Sequence, residues 1–169
     1  QVFRPEHLGV AAQRLAYAEA DEAVGAWGEV VFRGDGRVLR ADTLRYEHRR
    51  QHLVASGGVS LQAPEFEGVA AGSELEYDLG AEQAQLRGNP QWRRPRALSE
   101  PLLVRAGELR FDLKTKRVAG DGFELQAASL RLQADRGTYE RASQRLGLVG
   151  QVELRQERAG ATCVFHFAG

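Results

Sequence analysis

A neutral chain of 169 residues, with 23 basic against 23 acidic side chains, has no net field to steer it to nucleic acid or to an anionic bilayer. Hydrophobic residues make up 43%, enough for one ordinary core, and no run approaches the roughly 18 consecutive apolar residues of a membrane-spanning helix. Cys163 is the single cysteine, which excludes an intrachain disulfide or a cysteine metal cluster; Gln1 in place of Met reads as a mature chain whose targeting segment has been removed.

Residues 1–9, with Pro5 and Gly9, read as an entry segment. Residues 11–27 are rich in alanine and acids, and propensity alone makes them a helix. Leu15, Tyr17 and Gly28, however, open a pattern that returns four more times, so the stretch is predicted as strand. Gly34-Asp35-Gly36 predicts a tight hairpin turn; no ligand-spaced partner follows that would make it a calcium or phosphate loop. A strand is predicted over 38–46. His48 and His52 stand four apart, a metal-ligand spacing on a helix, but they flank a turn with Arg49 and Arg50 between them and no acidic third ligand, so they read as exposed turn side chains. Ala63-Pro64-Glu65 marks a strand break before Phe66. The largest irregularity is 88–104, where Gly88-Asn89-Pro90 is followed by Trp92-Arg93-Arg94-Pro95-Arg96 and Pro101. One tryptophan beside three arginines in a neutral chain predicts a solvated connector, or a phosphate-touching loop at a groove mouth, rather than a nucleic-acid site. The last apolar run, 161–167, puts Val164 and His166 on one face and Cys163, Phe165 and Phe167 on the other, with His166 as an edge-strand side chain.

These elements belong to an internal repeat. Tyr17, Tyr46, Tyr77, Phe111 and Tyr139 are spaced 29, 31, 34 and 28 apart, and a glycine follows each at +11: Gly28, Gly57, Gly88, Gly122 and Gly150. Five residues before each aromatic stands a small residue, Ala12, Ala41, Gly72, Ala106 or Ala134. Apolar residues favour the odd offsets from +7 to +15, the period of a half-buried strand, except after Gly122, where Phe123 and Leu125 carry the phase one residue early. Polar connectors such as His48 to Gln51, Lys114 to Lys116 and Arg141 to Gln144 separate the two runs of each unit. The expected fold is all-β and antiparallel, one domain over 1–169 built from about five strand-turn-longer-strand units near 10–32, 38–61, 66–92, 102–125 and 130–155. All five aromatics are expected to point inward. Ala41 and Leu44 are three apart, so if both face inward a β-bulge lies between them, and the same offset recurs at Ala12/Leu15 and Ala106/Leu109. The short connectors suit hairpins better than the parallel coils of a solenoid.

Catalytic patterns are missing. No nucleophile elbow and no glycine-rich phosphate loop is found. Glu47, Asp78, Asp112 and Glu140 recur at one structural position, which fits a solvent-side strand role rather than a single acid/base pair. A non-enzyme with no cofactor and no metal is expected.

The run Arg40-Ala-Asp-Thr-Leu-Arg-Tyr-Glu47, leading to Leu53-Val-Ala-Ser-Gly-Gly-Val-Ser-Leu61, resembles the OstA-like (LptA-type) family of lipopolysaccharide transport, in which a small-acid-x-Leu-x-Tyr strand leads into an Ala-x-Gly-x-Val strand. Residues 72–78 with 86–88, and 146–154, are similar, so the resemblance covers most of 10–155; the 88–104 insertion and the Gly137 unit, which lacks the leucine, depart from it. The resemblance implies an open β-jellyroll in the periplasm or cell envelope. Its groove would carry the acyl chains of lipopolysaccharide or another envelope lipid, and its edge strands would pair with other jellyroll transport domains or with a second copy of itself. Phe32, Leu44, Tyr46, Leu61, Phe66, Leu75 and Tyr77, from adjoining units, are the expected lipid-lining residues, with Arg49 or Arg93 meeting a head-group phosphate at the open edge. On residues alone, a β-repeat scaffold without lipid stays open beside this reading, because alternating aromatics and alanines fill a core as well as they line a groove.

Overall fold

The computed structural model describes residues 2–3, 8–94, 102–158 and 161–167, with side chains over 8–94 and 102–156. Pro5, Pro95, Arg96 and Pro101, and the facing of Cys163, Val164, Phe165, His166 and Phe167, lie outside the described residues or side chains. The strands are β1 (Val2–Phe3), β2 (Leu8–Ala11), β3 (Arg14–Ala18), β4 (Ala23–Gly34), β5 (Arg37–Glu47), β6 (His52–Gln62), β7 (Val69–Asp78) and β8 (Gln83–Arg87). They continue as β9 (Gln91–Arg94), β10 (Leu102–Arg105), β11 (Glu108–Asp112), β12 (Arg117–Ala127), β13 (Leu130–Glu140), β14 (Arg145–Val149), β15 (Val152–Arg158) and β16 (Ala161–Phe167). No helix occurs among the described residues. Residues 14–18 and 23–34 are strands, so the repeat overrides the helical propensity of that stretch.

All pairings are antiparallel and form one sheet, ordered β1-β2-β4-β5-β6-β7-β8-β11-β12-β13-β15-β16, with β3, β9, β10 and β14 as side branches. Among the described residues the path runs from β1 to β16 without closing, so the sheet is an open jellyroll. Each unit is a hairpin on a four-residue turn: 19–22, 48–51, 79–82, 113–116 and 141–144. The last residue of every turn, Glu22, Gln51, Glu82, Lys116 and Gln144, has positive φ, between 47° and 57°. Its carbonyl then accepts the first N–H of the next turn: His48 to Glu22, Leu79 to Gln51, Leu113 to Glu82 and Arg141 to Lys116, at 2.8–3.0 Å. The hairpin ends are thereby stitched into one continuous rim. Asp78 and Asp112 support it by accepting turn N–H groups, from Ala81 at 2.9 Å and from Lys114 and Thr115 at 3.1 and 3.0 Å.

The glycine at +11 is the line along which the sheet folds. Gly28, Gly57, Gly88, Gly122 and Gly150 have φ of +78°, +81°, +78°, +61° and +95°. Register shifts fall between Trp27 and Val30, Arg40 and Thr43, and Ser56 and Val59; β8 and β9, β10 and β11, and β14 and β15 are interrupted on the same line. On the opposing strand the phase changes after each small residue: Ala41 and Leu44 are both buried, as are Ala134 and Tyr139, with Gly137 between them. The predicted bulge offset is therefore the local form of a crease shared by all units. Strands cross the crease, so each has a half ending at the four-residue turns and a half ending at the opposite rim. That rim includes the Asp35-Gly36 turn, whose φ values of +52° and +78° are those of a type I′ hairpin.

The two halves close face to face. Phe32 of the far half meets Tyr46 of the turn half at 5.8 Å between ring centroids, and Trp92 meets Tyr139 at 5.9 Å. The core extends from Val10 on β2 to Tyr139 on β13. Four of the five repeat aromatics are buried. Tyr17 is the exception at 55% exposed; among the described residues, β3 pairs with β4 alone. Two further expectations are corrected. The second strand of a unit is not always the longer, since β5 and β6 have 11 residues each. Residues 91–94 are no solvated connector: they form β9 between β7 and β10, with Trp92 in the core.

Candidate functional site

The seven residues expected to line a groove all face the interior. Phe32, Leu44, Tyr46, Leu61, Phe66, Leu75 and Tyr77 are only 1–5% exposed and belong to one apolar cluster. Six stand on β4 to β7. Phe66 comes instead from the 63–68 connection between β6 and β7, where Phe66 N–H bonds Ala63 O at 3.1 Å and Gly68 N–H bonds Phe66 O at 2.8 Å. This short turn drives the Phe66 ring between the two halves, edge-on to Trp92 at 6.4 Å and to Phe111 at 5.4 Å. The strand break at Ala63-Pro64-Glu65 thus makes a stopper.

Opposite the crease, the two rims meet at a seam, and the 63–68 turn is held there by two arginines. Arg37, only 7% exposed, directs Nε and Nη2 to Glu65 Oε1 at 3.2 and 2.5 Å, Nη1 to Tyr77 Oη at 2.5 Å, and Nη2 to Glu82 Oε1 at 3.0 Å. Arg141 donates Nη1 to the carbonyls of Pro64 and Glu65 at 3.0 and 2.6 Å and Nη2 to Glu67 Oε1 at 3.0 Å. Burial disfavours both charges of the Arg37–Glu65 pair. Hydrogen bonding outweighs it: the Glu65 carboxyl is held below the usual carboxylate range, and Arg37 is raised. Glu65 Oε2 and Trp92 Nε1 are buried without a protein partner.

Burial pushes the Tyr77 hydroxyl up from 10.0 to about 12, although Arg37 pulls it down. The folded state thus keeps a proton that the unfolded chain releases, so this contribution to stability is complete below pH 10.0 and lost as pH rises through about 12. Chemical-denaturation midpoints are expected to fall over that window, and Tyr77→Phe should flatten the fall.

Arg49 and Arg93, the expected head-group arginines, are exposed on the surface; Arg49 Nε lies 3.5 Å from Glu22. Arg37 was the missed residue. Its sequence neighbours give it no signal, since its partners are 28, 40 and 45 residues away. His48 Nδ1 lies 3.3 Å from Tyr46 Oη. Among the described residues, no group of three His, Cys, Asp or Glu side chains converges as a metal site.

The outer face is polar and laced with cross-strand pairs. Glu108 takes Gln85 at 2.5 Å, Arg87 at 3.1 Å and Arg110 at 3.1 Å, bonds that lower its carboxyl, and pairs so exposed add little stability. A cavity of about 440 Å³ lies on this face, lined by residues such as His52, Glu76, Asp78, Gln85 and Arg110, where Ala119 stands between longer neighbours.

Fold and seam together define an open antiparallel β-jellyroll, with an apolar interior and a charged closure opposite its crease. Similar in structure is LptH from Pseudomonas aeruginosa, described as the LptA homologous periplasmic component of the conserved lipopolysaccharide transport device: TM-score 0.45, 10% identity, 94% of this chain and 93% of that one covered. No family model and no curated protein matches the chain.

Proposed function

We propose that this chain is a single OstA-like domain of the periplasm that binds an envelope lipid of the lipopolysaccharide type, holding its acyl chains between the two halves of the folded sheet and passing them to a neighbouring jellyroll. The observation that carries this reading is the continuity of the inner face. It is buried and apolar from Val10 to Tyr139, across successive strands of a sheet that stays open at both ends. An interior continuous along the stacking direction is what a conduit needs, and each buried methylene of a lipid contributes about 0.8 kcal/mol. No bond chemistry is required, only successive segments of similar affinity. The outer edges of β1 and β16, at the two ends of the path, offer backbone groups for strand addition by another jellyroll domain or a second copy. Phe32, Leu44, Tyr46, Leu61, Phe66, Leu75 and Tyr77 would contact the lipid.

One observation favours a second reading, a β-repeat scaffold without a lipid ligand: the same seven side chains are packed to near-complete burial. Lipid binding therefore requires the halves to part. Native mass spectrometry of protein purified with envelope lipid separates the two readings. A retained phosphorylated, acylated species is expected; no co-purifying lipid and no lipid uptake on titration would favour the scaffold.

A further inference from the structure

Glu65 and Phe66 are adjacent in sequence and point to the two chemically distinct places an anionic lipid would occupy. Glu65 sets a carboxylate against the buried Arg37 guanidinium; Phe66 sets an apolar ring into the core beside Trp92 and Phe111. We propose that the Glu65–Phe66 pair is a built-in substitute for an anionic amphiphile, and that Arg37 is the seat for the phosphate of an incoming acylated lipid once this pair withdraws. The proposal rests on the lipid-carrier reading above and adds the site, the head-group chemistry and the way the interior opens.

Three features support the exchange. First, a guanidinium fork matches phosphate as well as carboxylate, and Arg37 remains anchored by Tyr77 and Glu82 when Glu65 leaves. Second, Glu65 fills the seat imperfectly. Only Oε1 meets Arg37, while Oε2 is buried without a protein partner, a cost that favours displacement by a group with more acceptor oxygens. Third, Trp92 Nε1 is a buried donor without a protein acceptor, next to the Phe66 ring. The ester or amide carbonyl at the root of an acyl chain would satisfy it. The 63–68 turn lies at the seam and is tied to the other rim by the Arg37 and Arg141 contacts, so its withdrawal opens the interior from the side.

The test is equilibrium binding of three soluble probes, dioctanoyl phosphatidate, dioctanoylglycerol and inorganic phosphate, to the full chain and to Glu65→Gln and Phe66→Ala. Glu65→Gln should tighten phosphatidate binding roughly tenfold, about one charge-assisted bond no longer displaced, and in each protein dioctanoylglycerol, which offers Arg37 no anion, should bind more weakly than phosphatidate. Phe66→Ala should tighten both lipids. Unaltered phosphatidate affinity in a folded Glu65→Gln variant, with the parent chain binding lipid, would overturn the exchange while leaving the lipid-carrier reading intact. Equal tightening of inorganic phosphate would reduce the seat to a simple anion site and overturn the paired mimicry. No binding of either lipid by any folded variant would remove the lipid-carrier reading and the exchange with it. Glu65→Gln, isosteric and at the seam, carries the test by itself should Phe66→Ala fail to fold.

Discussion

Tyr46→Asp is expected to cost about 4 kcal/mol, a large share of the about 5–15 kcal/mol by which a whole domain is stable. Tyr46 is 1% exposed, on β5 between Val24 and Leu53, with the Phe32 ring 5.8 Å away from the opposite half. A carboxylate there loses its water and gains no partner in the apolar cluster. Its shorter side chain cannot reach the place where Tyr46 Oη meets His48. Tyr46→Phe separates the two contributions: it removes the hydroxyl, keeps the ring and should cost about 1 kcal/mol. Denaturant unfolding of the three proteins is the measurement. A Tyr46→Asp protein within 1 kcal/mol of the parent would mean that water reaches the inner face.

Gly57→Val should cost about 3 kcal/mol or more, and the crease is the reason. Gly57 has φ of +81°, which a β-branched residue adopts only with strain, and a Cβ built there would lie 2.4 Å from Asp42 Oδ2 and 2.7 Å from Asp42 Cβ. The strand partner sits too close for any side chain, so the valine would push β5 and β6 apart where the sheet folds. Gly58 is the internal control. Its φ is +52°, within reach of asparagine, and a Cβ there meets nothing within 4 Å, so Gly58→Asn should change stability by about 0.5 kcal/mol or less. Equal losses at the two positions would show that general loop entropy, rather than the crease, governs this segment.

Much of the architecture was legible because the repeat fixes phase. Leu44, Tyr46, Leu75 and Tyr77 alternate with Arg45 and Glu76, and the alternation alone places one set inside. Recurrence also outweighed the alanine-rich helical signal around Tyr17. The same logic overreached at Tyr17 itself, since a local pattern does not reveal that, among the described residues, β3 pairs on one side only. The glycine at +11 was visible, but its meaning as a fold line depends on the register between strands, which a single strand does not display. Trp92 was read through the prolines and arginines around it, whereas β9 is a strand because β7 and β10 flank it. The seam was illegible for a different reason: Arg37 follows an ordinary Asp-Gly turn, and its significance comes from Glu65, Tyr77 and Glu82, which the closure of the two halves brings together.

The central claim, that acyl chains run between the two halves of the folded sheet, is tested most directly by site-specific photo-crosslinking in envelope lipid. A photo-reactive residue at Leu44 or Leu75, both buried on the inner face, should capture lipid, and one at Arg45 or Glu76, on the exposed face of the same strands, should not. Capture from both faces alike would mean surface adhesion, and no capture from the inner positions would contradict the conduit and leave a packed β-repeat scaffold.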